Sequence, residues 1–142
     1  MNVRSFFDTN IFVYSFDTRE PHKADIALRL ILEHAEAGTG VISFQVVREF
    51  FSVALRRFPQ VMQPADRERY LTMVLQPFLS VYGSVSLCLK ALAIRSRYGY
   101  QWYDSLIIAA ACESRCSILF SEDLQHGQII DGVRIADPFL NS

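Results

Sequence analysis

Four acidic side chains, Asp8, Glu49, Asp104 and Asp123, stand where a buried or half-buried apolar pattern would otherwise continue. Asp8 follows Phe6-Phe7 and precedes Thr9-Asn10 and a second apolar run, Ile11 to Tyr14. Glu49 lies among Val46, Val47, Phe50 and Phe51; Asp104 opens the most hydrophobic stretch of the chain; Asp123 follows Phe120-Ser121-Glu122. Each alone has an ordinary use: Asp8 and Asp104 as helix caps, Asp123 as a turn former before Gly127, Glu49 as a solvated helix residue. Gathered in one place, carboxylates drive one another's pKa values upward, and a helix N-terminus offsets only roughly 0.3 to 1 kcal/mol of that. A hard divalent cation resolves the conflict. Mg²⁺ takes one or two carboxylates, keeps several waters and accepts phosphate oxygens, so such a set suits metal-assisted hydrolysis of a phosphodiester.

The elements that would have to gather these acids are legible in the hydrophobic pattern. Phe6 and Phe7 read as the end of a short buried strand with Asp8 at its carboxyl tip. Thr9 or Asn10 then caps a helical turn carrying Ile11, Phe12 and Tyr14. Pro21 starts a helix whose apolar positions from Lys23 to Ala37 are Ala24, Ala27, Leu28, Ile31, Leu32 and Ala35, ended by Gly38-Thr39-Gly40. Val41 to Phe44 is a second strand, and Gln45 to Phe58 a helix stopped by Pro59. Pro64 to Gln76 reads as a helix stopped by Pro77, Leu79 to Tyr82 as a third strand, and Ser84 to Tyr98 as a helix carrying Val85, Leu89, Leu92 and Ala93 and closed by Gly99. The run from Trp102 to Cys112 is apolar nearly all round, as a helix buried against a sheet should be. Ser117 to Ser121 is a fourth strand and Val133 to Ile135 a short last one.

Short apolar strands alternating with amphipathic helices imply an α/β domain: a mostly parallel central sheet with helices on both faces, in three layers. Right-handed crossovers bring strand ends and the starts of the following helices to one edge of such a sheet. All four acids then arrive at the same edge, where open α/β sheets bind ligands.

Composition narrows the setting. The chain has 142 residues, 51% of them hydrophobic, which suits one domain spanning 1–142 with a core of ordinary size. The formal charge of -1 provides no overall basic footprint, although metal-binding acids would mask a basic groove in the total. Twelve of the fourteen cations are arginine, whose planar fork suits phosphate. Cys88, Cys112 and Cys116 are odd in number and form no Cys-x-x-Cys pair, which points to a reducing compartment and to core packing rather than disulfides. No apolar run approaches about 18 residues, so neither a membrane span nor a signal peptide is expected. The expected location is the cytoplasm.

With these residues in place, the sequence resembles the PIN domain family, and within it the VapC-type toxins of toxin-antitoxin pairs. The resemblance is carried by Phe7-Asp8-Thr9-Asn10 with Tyr14-Ser15-Phe16-Asp17, by Gln45 to Phe50, by Trp102 to Ile107, by Ser121 to Gly127, and by Gly132 to Ile135 with Asp137-Pro138-Phe139. It covers almost the whole chain. It implies a Rossmann-like PIN fold and an acidic Mg²⁺ or Mn²⁺ site made by Asp8, Glu49, Asp104 and Asp123. Asp8 and Asp104 would be direct ligands, with Glu49 and Asp123 joining directly or through water. Thr9 and Asn10 would orient Asp8, and Ser121 holds a position where the family has threonine or serine. Glu122 adds a fifth acid, which leaves the last ligand open.

The implied activity is that of an endoribonuclease cutting single-stranded or loop RNA, the toxin of a type II toxin-antitoxin system, often dimeric and inhibited by a cognate antitoxin. Arg48 is a candidate for RNA phosphate or for a surface ion pair, and His126 for a structural or substrate-positioning role. Trp102 and Tyr103 would stack an unpaired base or pack around Asp104. The alternative is a catalytically silent PIN module that binds RNA or a partner protein; its mark would be a missing acid, and none is missing. A hydrolase of small phosphate esters would want a second aspartate two residues after Asp8, where Asn10 stands.

Overall fold

A computed structural model describes residues 3–140 of the chain, so the outermost ends of the expected 1–142 domain lie outside the described residues. Strand β1 (Ser5–Phe7) is buried throughout and leads into helix α1 (Thr9–Tyr14). Helix α2 (Pro21–Ala37), strand β2 (Gly40–Ser43) and helix α3 (Phe44–Arg57) follow. Helix α4 (Pro64–Tyr70) runs through a π-helical turn (Leu71–Leu75) into a short helix α5 (Gln76–Phe78) and strand β3 (Leu79–Val81). Helices α6 (Val85–Tyr98) and α7 (Trp102–Glu113) precede strands β4 (Ile118–Phe120), β5 (Ile129–Ile130) and β6 (Val133–Ala136).

The six strands form one sheet in the order β3-β2-β1-β4-β6-β5, parallel except for β5, which runs antiparallel to β6. The chain steps from β1 outward to β2 and β3, then returns to the other side of β1 at β4. Right-handed crossovers therefore place α1, α2 and α3 on one face and α6 and α7 on the other. Packing follows that division, with α1 on α2 and α3, and α6 on α7. The result is the α/β three-layer sandwich expected from the pattern. The reversal between β1 and β4 is a topological switch point, the crevice where such sheets receive ligands. No helix among the described residues is long and apolar enough to cross a membrane, and the three cysteines are free.

Several local expectations are corrected. Asp8, rather than Thr9 or Asn10, is the N-cap of α1: its backbone is extended and its Oδ1 accepts the Thr9 N–H at 2.7 Å. The expected single helix from Pro64 to Gln76 is interrupted by the π turn. There Thr72 Oγ1 bonds back to the Glu68 carbonyl at 3.0 Å, and Pro77, which has no N–H to donate, enters the following turn instead of ending the helix. Strand β5 was too short to read.

Two helices bury different stripes from those expected. On α6 the core positions are Leu87, Ala91 and Ile94, while Val85, Leu89 and Leu92 are 77%, 63% and 50% exposed. Both stripes have helical spacing, so periodicity cannot choose between them; small Ala91, fully buried, suits the close approach of α7. On α2 only Ala27 and Ile31 are buried, and Leu28 and Leu32 face outward. The core is rich in aromatic rings, with Phe6, Phe7, Phe12, Phe50 and Phe78 nearly or wholly inaccessible. Gly40 is required by this packing: a Cβ there would lie 2.3 Å from the Phe78 ring.

Candidate active site

Asp8 continues the ladder between β1 and β4 by one rung, its N–H donating to the Phe120 carbonyl at 3.0 Å. That bond and the cap to Thr9 hold the carboxylate at the switch point, 8% exposed. Its second oxygen, Oδ2, accepts the Ser121 hydroxyl at 2.8 Å. Ser121 is fully buried at the end of β4, and its Oγ also accepts the Asp123 N–H at 3.2 Å. One hydroxyl thus ties the β1 acid to the β4 loop.

Glu49 enters from α3, half-buried, with Oε1 taking the Gln45 side-chain amide at 3.0 Å and standing 3.5 Å from the Thr9 hydroxyl. The same Gln45 amide also donates to the Tyr103 carbonyl at 3.1 Å, which links α3 to the first turn of α7. Asp104 is the third residue of that helix and is half-buried; the N-cap is Gln101. Asp123 lies at the exposed rim, its Oδ2 accepting the Asn10 side-chain amide at 2.7 Å. Asn10 therefore steadies Asp123 rather than Asp8. It follows Thr9 in a helix, and the turn of about 100° per residue aims it elsewhere.

The charges of these four groups reach one another. Burial pushes the Asp8 carboxyl up to about 6; the Ser121 and Thr9 bonds oppose this, and Asp123 and Glu49 add to it. Burial also raises Glu49, with Asp104 adding to the rise, and raises Asp104, with Asp123 adding. Asp123 is raised by the partial burial of its carboxyl and by Glu122 and Asp137. Asp8, Glu49, Asp104 and Asp123 thus lie within electrostatic reach of one another in pairs, Asp8 with Asp123 and Glu49, Glu49 with Asp104, and Asp104 with Asp123. Among the described residues, no three His, Cys, Asp or Glu side chains lie close enough to hold an ion between them.

Glu122 is otherwise occupied. It takes Lys23 Nζ at 2.6 Å and the Tyr14 hydroxyl at 2.5 Å. Burial works upward on its carboxyl, but these two bonds outweigh it and hold the group below its ordinary value. Arg48 is exposed and lines a cleft of about 340 Å³ with Gln45, Glu49, Ser52 and Tyr103. His126 stands apart from the acids; its Nδ1 accepts the Asp137 N–H at 3.0 Å, and it lines a cleft with His22, Asp25 and Arg29.

Sequence reasoning missed Gln45, Lys23 and Tyr14. Gln45 is four residues before Glu49 and so on the same helix face, a signal available in the sequence. Lys23 offered none, because its partner lies 99 residues away.

The family model for the PIN domain matches residues 5–130. Among solved structures, the chain is similar to a toxin-antitoxin complex from Klebsiella pneumoniae, with 24% identity, a TM-score of 0.67, and coverage of 95% of this chain and 98% of that one. It is also similar to VapC20 from Mycobacterium tuberculosis, described as a Sarcin-Ricin loop cleaving toxin, with 18% identity, a TM-score of 0.63, and coverage of 92% of this chain and 98% of that one. Among curated proteins there is no match.

Proposed function

This chain belongs to the PIN domain family, and on that footing we propose that it is a Mg²⁺- or Mn²⁺-dependent endoribonuclease, the toxin of a type II toxin-antitoxin pair. The observation that carries this reading is the set of four carboxylates, each raised above its ordinary pKa and linked in pairs by charge, with Asp8 feeling Asp123 and Glu49, Glu49 feeling Asp104, and Asp104 feeling Asp123. The donor set is all oxygen, and its members stand too far apart for a closed cage. The all-oxygen chemistry of the set fits a hard cation. Asp8 and Asp104 would hold it, with Glu49 and Asp123 reaching it directly or through water. When bound, it supplies charge neutralisation and a water acidic enough to attack a phosphodiester.

The chain's own residues organise that chemistry. Ser121 and the Thr9 N–H each secure one oxygen of Asp8. Gln45 fixes Glu49 against α7, and Asn10 fixes Asp123. Lys23 and Tyr14 withdraw Glu122, so Asp123 is the acid that this loop contributes. The substrate is RNA, positioned in part by Arg48. The partner is a cognate antitoxin, and the setting is the cytoplasm. The exposed stripe of Val85, Leu89 and Leu92 supports a homodimer, since a second copy would cover it.

A silent PIN module would leave four mutually repelling carboxylates with nothing to hold. Asp104→Asn tests the reading: the purified variant should unfold at no lower a temperature than the metal-free parent and lose Mn²⁺-dependent cleavage of total RNA. Undiminished cleavage would refute it.

A further inference from the structure

We propose that Arg19, Arg56 and Arg57 form a phosphate-binding groove that holds the RNA strand on one flank of the acidic crevice; this rests on the nuclease reading of the adjoining site. Two clefts meet there. One, of about 490 Å³, is lined by Asn10 and Asp123 of the acidic site together with Asp17, Arg19 and Arg57. The next, of about 550 Å³, shares Asp17, Arg19 and Arg57 and adds Arg56. A strand leaving the acids on this side therefore passes over guanidinium groups.

The groove is built around a buried carboxylate. Asp17, its side chain 4% exposed, accepts three donors from Arg19: the backbone N–H at 3.0 Å, Nε at 3.0 Å and Nη2 at 3.1 Å. These bonds, with burial opposing them, hold the Asp17 carboxyl below its ordinary value, and the charges of Arg19 and Arg57 add to the effect. Arg19 uses one edge of its fork on Asp17, and its side chain as a whole remains 68% exposed. Arg57 touches Asp17 at only 3.5 Å, and Asp17 is already satisfied without it. Arg56 makes no ion pair among the described residues. The first cleft also carries Glu20 and Glu122, but in the second Asp17 is the one carboxylate among three guanidiniums, so positive charge is in excess at the end of the groove away from the acids. Arginine forks turned toward solvent beside a phosphodiester-cutting site suit backbone phosphate, which they bind without reading sequence.

Arg56→Gln/Arg57→Gln tests the groove while Arg19 keeps Asp17 paired. Arg56→Glu is the second variant, because among the described residues Arg56 has no ion pair to lose, and thermal unfolding is followed for both. The probe is a fluorescein-labelled single-stranded RNA of mixed sequence, titrated in Ca²⁺ over a range of KCl. Each single-strand phosphate contact contributes about 0.7 to the salt slope of log K. The double variant should therefore lose about 1.4 from the slope and bind more weakly, and in cleavage assays show a raised KM with kcat retained. Arg97→Gln, on the opposite face of the sheet, should match the parent.

An unchanged slope and KM in a protein that still cleaves RNA overturns the groove and leaves the nuclease reading standing. A slope that falls as expected, with no cleavage by the parent, supports the groove and removes the nuclease reading. Failure of the parent to bind RNA overturns the groove, as does a double variant with unaltered RNA affinity and weakened antitoxin binding, which would assign the arginines to an acidic protein segment.

Discussion

Replacing Asp8 by Asn should stabilise the metal-free protein while abolishing its chemistry. The carboxyl is buried at the switch point and pushed up to about 6 from an ordinary 3.8. A rise of about two units costs the folded state about 3 kcal/mol once the group is ionised, at about 1.4 kcal/mol per unit. The sign follows from proton binding. Between pH 4 and 6 the folded protein holds the Asp8 proton more tightly than the unfolded chain, so stability falls as pH rises through that window and the full cost is present above it. Asn keeps the shape and still accepts the Thr9 N–H, but carries no charge.

Urea unfolding in EDTA measures the effect. Near pH 7.5 the variant should be more stable by up to about 3 kcal/mol, a midpoint shift of roughly 1 to 2 M. Near pH 3.5 the two proteins should differ by no more than about 0.3 kcal/mol, because the folded parent is then protonated and the unfolded parent mostly so. Mg²⁺ should narrow the gap at pH 7.5 from the parent's side, since a cation stabilises only the state that binds it. A variant less stable than the parent at pH 7.5, or an advantage that persists at pH 3.5, would show that Asp8 is held ionised by its hydrogen bonds and that the crevice is not strained by charge.

Two further outcomes are expected. Gly40→Ala places a Cβ against the buried Phe78 ring, 2.3 Å from it without rearrangement, and overpacking of this kind costs about 1 to 3 kcal/mol; calorimetry should show a lowered Tm with the same cleavage specificity in surviving protein, and an unaltered Tm would mean that the ring moves freely. Leu89→Glu puts a charge in the middle of the exposed α6 stripe. Sedimentation should then report a dimer for the parent and a monomer for the variant, with the unfolding midpoint in dilute solution unchanged.

Much of the candidate site was legible because it is local. Each acid interrupts a run that is otherwise apolar: Asp8 and Asp123 lie just beyond the ends of β1 and β4, Glu49 in the second turn of α3 after β2, and Asp104 in the first turn of α7, which follows α6 rather than a strand. Parallel strands with right-handed crossovers bring Asp8, Glu49 and Asp123 toward one edge; Asp104 comes within electrostatic reach of Glu49 through the packing of α7, whose Tyr103 carbonyl accepts from Gln45. The PIN resemblance rested on the same segments. The π turn after α4 and the two-residue β5 were less visible, because neither breaks the pattern for long enough to be read.

Other features were decided only when faces docked. Val85, Leu89 and Leu92 and the set Leu87, Ala91 and Ile94 are equally good helical stripes, and contact with α7 chose the second. Glu122 and Asp123 are adjacent carboxylates that sequence does not rank; Lys23, 99 residues away, and Tyr14, 108 away, claimed the first, and Asn10 took the second. The arginine groove exists because the end of α3 brings Arg57 beside the residues that follow α1. Sequence alone determined which residues could do chemistry and the edge at which they would gather, since both depend on short-range pattern. Tertiary structure decided which neighbours restrain them and which charges stay free, because those depend on contacts between segments that no local periodicity encodes.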